Sequence, residues 1–325
     1  MKAFDTQSDP GELTGYLRSQ NWLEPGESVV SVSKAGEGNM NVVLRLGTTG
    51  RSLILKQSRP YVQKYPDIPA PEGRILTEER FYRAVSGAGI EDHLPRLLGF
   101  DPGNFTLLLE DLGQAEDMTF LYRARAIGEG TLDTLAEVLG RIHATQAPAD
   151  FPDNLELRRL NHQHIFVLPF LEDNGFALDA IQPGLEALAT PFKTDTALKA
   201  EVSALGQRYL APGTVLLHGD YYPGSWLQAS GNIYVIDPEF SFAGFPEFDL
   251  GVMGAHLLMA TMEPEAINQA FERYAGTCNR ELAVQIAGTE ILRRLIGLAQ
   301  LPLVRSLEEK AYLLRMARNF LMHAS

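Results

Sequence analysis

The sequence is nearly without cysteine: Cys278 is the only one among 325 residues. A lone thiol excludes an internal disulfide framework and any cysteine-rich zinc site. Basic residues are also in deficit, with Lys+Arg of 28 against Asp+Glu of 41 and a formal net charge of −13. Duplex-binding proteins carry a basic face, so this balance argues against nucleic acid as a partner. It does not exclude an anionic small molecule, because a local pair of arginines can sit on an acidic protein. Long apolar runs are missing too. The longest, around Gly251 to Met262, contains His256 and is too short to span a bilayer. The amino terminus, MKAFDTQSDPGELTG, is acidic and polar and does not read as a secretory signal. No internal repeat and no low-complexity tract is present. The expectation is a soluble cytoplasmic protein with no membrane or nucleic-acid partner.

What is present begins with three apolar runs, Val29 to Lys34, Val42 to Leu46 and Ser52 to Lys56, separated by glycine-containing turns. That pattern predicts an antiparallel meander. A proline-rich loop from Arg59 to Gly73 follows. Thr77 then opens a helix with Glu78 and Glu79 in its first turn and Phe81, Tyr82 and Val85 on its apolar face. Two further strands are read in RLLGF and NFTLLLEDL. Beyond Leu112 the period changes to helical. Leu132, Leu135, Val138, Leu139 and Ile142 share a face, with Thr131 as N-cap, and helices are read at Gly288 to Leu301 and Ser306 to Met322. The fold class is therefore α+β and bilobal. A small β-rich lobe (1–112) precedes a larger, mainly α lobe (113–325), with a cleft between them as the natural ligand site.

The chemistry concentrates in LLHGDYYPGSWLQASGNIYVIDPEF, Leu216 to Phe240. One strand ends in His218-Gly219-Asp220, a loop closes with Gly224-Ser225, and a second strand delivers Asp237 and Glu239. In extended backbone the last two point to the same side. Three carboxylates brought near one point suit phosphoryl transfer: one orients the attacking hydroxyl and accepts its proton, and others hold magnesium against nucleotide phosphates. Oxygen ligands without cysteine favour magnesium over zinc. Taken singly, an HGD or a strand ending in an acidic turn is an ordinary local feature; the combination carries the signal.

This arrangement resembles the aminoglycoside phosphotransferase and choline kinase group of protein-kinase-like enzymes, and within it most closely the 5-methylthioribose kinase family. The matching residues are His218-Gly219-Asp220, Gly224-Ser225 and Asp237-Pro238-Glu239-Phe240. Tyr222 departs from the pattern, which often has histidine there. The resemblance implies an ATP-dependent kinase of a small-molecule hydroxyl. Asp220 would be its catalytic base, Ser225 would assist the metal or the phosphates, and Asp237 and Glu239 would be the Mg²⁺ ligands. It implies a nucleotide-covering turn carrying Gly36, Gly38 and Asn39, and a nucleotide lysine at Lys56. On local sequence alone that lysine reads as a solvated strand residue. Glu78, or its neighbour Glu79, would pair with Lys56. Glu110 and Leu112 would connect the lobes beside the adenine. Asp249 resembles the structural aspartate that follows the metal loop.

Arg293 and Arg294 in EILRRLIGLAQ are adjacent on a helix and point about 100° apart, so both cannot be equally solvated. The resemblance assigns them to a sugar acceptor, with a 5-methylthioribose-like sugar foremost. Another sugar, an amino alcohol or an aminoglycoside is the alternative. A homodimer follows from the resemblance alone. His143 reads as packed or capping, and His162, His164 and Cys278 show no metal or nucleophile pattern. Two other classes use the same acids, a metal-dependent phosphohydrolase and a catalytically silent nucleotide-binding module.

Overall fold

The computed structural model describes residues 2–36, 38 and 40–323; Asn39 and its neighbour Glu37 in the expected nucleotide turn lie outside them. The amino-terminal part is a five-stranded antiparallel sheet. Its elements are α1 (Pro10–Ser19), β1 (Val29–Lys34), β2 (Val42–Thr48), β3 (Ser52–Gln57), α2 (Arg74–Ala84), β4 (Leu97–Asp101) and β5 (Thr106–Glu110). The spatial strand order is β1-β2-β3-β5-β4. The three-strand meander is found where the sequence places it.

Alternation decides which side chains of β3 face the cleft. Leu53 and Leu55 point one way and pack with Phe4, Leu13, Leu17, Leu44 and Leu46. Ile54 and Lys56 point the other way. A one-residue slip would exchange the two sets, so burial of the leucines fixes the lysine's direction. Helix α1, not evident from the polar amino terminus, supplies Leu13 and Leu17. Asp9 caps it by accepting from Glu12 N at 3.0 Å, and Pro10 occupies its first turn.

Two helix starts differ from expectation. Helix α2 begins at Arg74, a turn before Thr77, with Gly73 at the N-cap and no side-chain cap. What holds this end is the Arg74 guanidinium, bonded to surrounding carbonyls. The helix read from Thr131 begins at Glu129 behind Gly128.

The carboxyl-terminal part contains β6 (Ala115–Asp117), α3 (Glu129–Ala144), α4 (Leu155–His162), α5 (Thr196–Leu210), β7 (Val215–Leu217), β8 (Trp226–Ala229), β9 (Asn232–Val235), β10 (Phe242–Gly244), α6 (Glu247–Thr261), α7 (Glu265–Arg273), α8 (Arg280–Ile296) and α9 (Leu307–Met322). Strands β9, β8 and β6 form one small sheet and β10 pairs with β7 in another. Helix α8 starts well before the expected Gly288 and ends before Leu301. It packs between α6 and α9, which is why it is buried along most of its length. Ser306 and Glu309 make the reciprocal capping box at the start of α9. Trp226 and Phe242 are core residues, whereas Phe240 is only partly buried and lines the cleft. The whole is the small β-rich lobe on a larger helical lobe that the sequence predicts. Among the described residues no helix is long and apolar enough to cross a membrane.

Candidate active site

A cleft of about 620 Å³ is lined from both halves of the chain, by Gly36, Gly38, Lys56, Glu110 and Leu112 on one side and by Asp220, Ser225, Asp237, Glu239, Arg293 and Arg294 on the other. The expected residues that lie within the described chain thus gather around one space, except Glu78, which is fully buried behind Lys56.

Lys56 is not a solvated strand lysine. Its side chain is 3% exposed, with Nζ 2.7 Å from Glu78 Oε2 and 2.6 Å from Asp237 Oδ1. Burial lowers the ammonium's pKa, but Asp237, Glu78 and Glu239 together outweigh it and hold the group charged. Glu78 has the opposite balance. Desolvation pushes it up to about 8 against the attraction of Lys56, and neither of its oxygens receives a hydrogen bond of good geometry. Glu79 turns away to Arg83 and Arg80, so Glu78 is the partner of Lys56.

The Asp237 turn departs from the extended backbone expected there. Asp237 sits at φ 60, ψ 47, and Pro238–Phe240 form a 3₁₀ turn packed on α2. A left-handed conformation at a non-glycine residue costs on the order of 1–2 kcal/mol and persists where surrounding contacts impose it. Here it sets the Asp237 carboxylate on Lys56 while leaving its side chain 46% exposed. Glu239 goes inward: Oε2 accepts from Asn41 Nδ2 at 2.9 Å and lies 3.2 Å from Arg74 Nε. Burial raises its pKa, with Lys56 and Arg74 opposing.

Arg74 was not singled out in sequence. It is fully buried and donates to Asn41 Oδ1 (2.9 Å), Met40 O (2.8 Å), Arg59 O (2.8 Å) and Pro71 O (2.7 Å). One guanidinium thereby ties the glycine turn, the proline-rich loop and Glu239 together. An arginine in a helix's first turn carries no local mark of this role. Gly38 is constrained by the same turn, since a Cβ there would lie 2.4 Å from Asn41 O; at Gly36 nothing lies within 4 Å.

Asp220 is presented by a loop held from behind. Asp249 accepts from His218 N at 2.7 Å and Gly219 N at 2.9 Å, the positioning role expected of it. His143, beyond packing, bonds Asp249 Oδ2 at 3.1 Å and Tyr274 Oη at 2.7 Å. Gly219 has φ +85, and a Cβ would stand 2.2 Å from Phe240 O. Gly219→Ala should therefore lower stability by about 2–3 kcal/mol, read as a shift in the urea midpoint at unchanged slope. An unmoved midpoint would show that the loop relaxes freely.

At the far end of the cleft both arginines are buried. Glu290 accepts from Arg293 Nη1 at 2.8 Å and Arg294 Nε at 2.6 Å, and His256 Nε2 lies 3.0 Å from the same carboxylate. Spacings of three and four along the helix make these pairs readable in sequence once Glu290 is considered. Burial, with Arg294, takes His256 down to about 4, so it is neutral near pH 7. A carboxylate can only accept, so Nε2 carries the proton and Nδ1 accepts from Tyr122 Oη at 2.6 Å. Tyr222 lies beneath Arg294, its ring centroid 4.6 Å from the guanidinium carbon, and against His256. Arg294 Nη2 is 3.6 Å from Asp220 Oδ1. Asp220 is pushed up to about 6 by burial, with Arg294 and Arg293 pulling it down.

A small antiparallel sheet delivering a buried lysine–glutamate pair over a helical lobe defines a protein-kinase-like phosphotransferase. The chain belongs to the phosphotransferase enzyme family, whose sequence model matches residues 31–284. Among its relatives is a methylthioribose kinase of Exiguobacterium sibiricum, 28% identical over 87% of this chain and 83% of the relative. Another, from Geobacillus kaustophilus, is 27% identical over 85% and 81%, and methylthioribose kinase 1 of Oryza sativa is 26% identical over 82% and 66%. Solved structures share the fold. Spectinomycin phosphotransferase in complex with ADP and spectinomycin superposes with a TM-score of 0.59 at 16% identity, covering 98% of this chain and 99% of that one. Choline kinase LicA from Streptococcus pneumoniae gives 0.55 at 17%, covering 96% and 98%. The chain is an ATP-dependent phosphotransferase, and its kinase relatives act on small-molecule substrates.

Proposed function

We propose that this protein transfers the γ-phosphoryl group of ATP to a hydroxyl of a neutral sugar of the 5-methylthioribose type. The observation that carries the acceptor class is the charge at the end of the cleft. Two buried arginines lie beside Asp220, and Glu290 accepts a hydrogen bond from each of them. An ammonium-bearing acceptor, choline-like or aminoglycoside, would meet like charge there; a polyol would find fixed donors and a tyrosine face. The relatives' activity agrees with this reading.

In the reaction, the acceptor oxygen forms a bond to the γ-phosphorus while the bridging bond to ADP breaks. Asp220 orients the hydroxyl and takes its proton, Lys56 lies against the phosphates, and Arg293 and Arg294 hold the sugar. Ser225, buried beside the loop, supports the phosphate end, and the chain around Glu110 and Leu112 flanks the base. A magnesium ion suits the oxygen donors of Asp237 and Glu239, the first half-exposed beside the cleft; when bound it would offset charge on the phosphate oxygens.

Two results test this. With ATP and magnesium, turnover should be at least about ten-fold faster with 5-thio-substituted ribose than with choline or an aminoglycoside, and Arg294→Ala should raise the sugar's KM about ten-fold or more. Preference for an amine acceptor would overturn the acceptor assignment. The pH profile follows from Asp220. The base must be ionised, and its pKa is raised to about 6, so kcat/KM should be flat above that value and fall ten-fold per unit as pH drops through it. A flat profile down to pH 5 would remove Asp220 as the base.

A further inference from the structure

A second cavity, of about 300 Å³, lies behind Arg294, between the end of α8, the following loop and the start of α9. Its polar walls are Arg294, Arg305, Lys310, Gln182 and Gln300, and among the described residues no carboxylate lines it. The three cations are 6%, 5% and 5% exposed. Among the described residues Lys310 makes no side-chain hydrogen bond or ion pair, and the residue as a whole is 5% exposed. Arg305 spends its terminal nitrogens on carbonyls, including Met259 O at 3.0 Å and Ala260 O at 2.7 Å, while its buried Nε has no partner. Arg294 Nη2 likewise lacks a hydrogen bond. Glu309, the acid that acts on Arg305 through space, is tied to Arg125 Nη1 at 2.8 Å and to Ser306 N at 2.8 Å. Buried charge is retained at a cost unless something neutralises it. Arg294 is paired on its other side with Glu290, but toward the cavity its Nη2, the Arg305 Nε and the Lys310 ammonium have no acid among the described lining residues; such a set is the complement of an oxyanion with several acceptor oxygens.

We propose that this cavity binds a small phosphate-type oxyanion, either free phosphate or the phosphate of a small sugar ester. The volume is at the lower end for small-molecule sites, and Ile181, Leu301 and Val304 supply an apolar side for a short organic body. The site is separate from the nucleotide cleft but shares Arg294 with it, so an occupant draws on a guanidinium that also faces Asp220. Burial lowers the Lys310 pKa, a direction that a bound anion would reverse.

The test is calorimetric titration of the full chain, at constant ionic strength, with inorganic phosphate and separately with ribose 5-phosphate. It is run on the wild type, on Lys310→Met and on Gln182→Glu; the last adds an acid at the cavity wall without altering a cation. The expected result is saturable binding to the wild type that weakens about ten-fold or more in both variants. Binding of both ligands, or only of one, tells the ester source from the free ion. Absence of saturable binding, or binding unchanged in either folded variant, overturns the proposal. Should Lys310→Met fail to fold, Gln182→Glu decides alone. None of these outcomes depends on which acceptor the enzyme uses.

Discussion

Asp220→Asn should lower kcat by about 10³-fold while leaving the protein folded and the KM for ATP within about two-fold, since a positioned general base contributes about 10²–10⁴. The expectation extends to stability, and the sign is unusual. Desolvation raises the Asp220 pKa to about 6 in the folded state, above the unfolded value of about 3.9. A carboxyl shifted upward favours the fold while protonated, and that contribution is lost as pH rises through about 6. Removing the charge should therefore leave the melting temperature at pH 8 unchanged or higher. Activity lost with stability kept is the behaviour of a group held for chemistry rather than for the fold. Normal turnover in this variant, measured by ADP release, would contradict the mechanism.

The second large effect concerns Lys56. Lys56→Met should reduce kcat/KM for ATP by about 10²–10³-fold, as expected for a lost charge-stabilising donor. It should also destabilise the protein by about 3 kcal/mol, because Glu78 is left buried with no cation. That cost should shrink at low pH, where Glu78 takes up a proton instead. Adding Glu78→Gln should restore most of the stability and none of the activity. The double variant, followed by chemical denaturation and by ATP turnover, separates the two roles. Equal recovery of both would mean that Lys56 matters only as a structural counter-ion. Full Mg²⁺-dependent activity in Lys56→Met would instead favour a phosphohydrolase that has no use for the lysine.

These effects trace back unevenly to the sequence. The strands β1 to β3 were legible because each is a short apolar run bounded by turn residues, and alternation within SLILK already separates Leu53 and Leu55 from Lys56. The HGD loop and the acidic turn were legible because they are contiguous. What was not legible depends on segments distant in the chain. Arg74 is ordinary by its neighbours; its importance comes from Met40, Arg59, Pro71 and Glu239 folding around it. The direction of Asp237 differs from the extended backbone that the sequence suggests, since a left-handed aspartate before proline leaves no periodic trace. Helix α1 leaves little trace in the sequence because its buried stripe consists of little more than Leu13 and Leu17 in a polar setting. His143 was half visible: its place on the apolar face of α3 shows that it packs, not that it braces Asp249.

The central claim is that Asp220, Lys56 and Asp237 act on one triphosphate in one cleft. It is tested most directly by a crystal structure with magnesium and a non-hydrolysable ATP analogue. The account predicts the γ-phosphate between Lys56 and Asp220, with the metal on Asp237. A nucleotide bound elsewhere, or a metal held without Asp237, would contradict it.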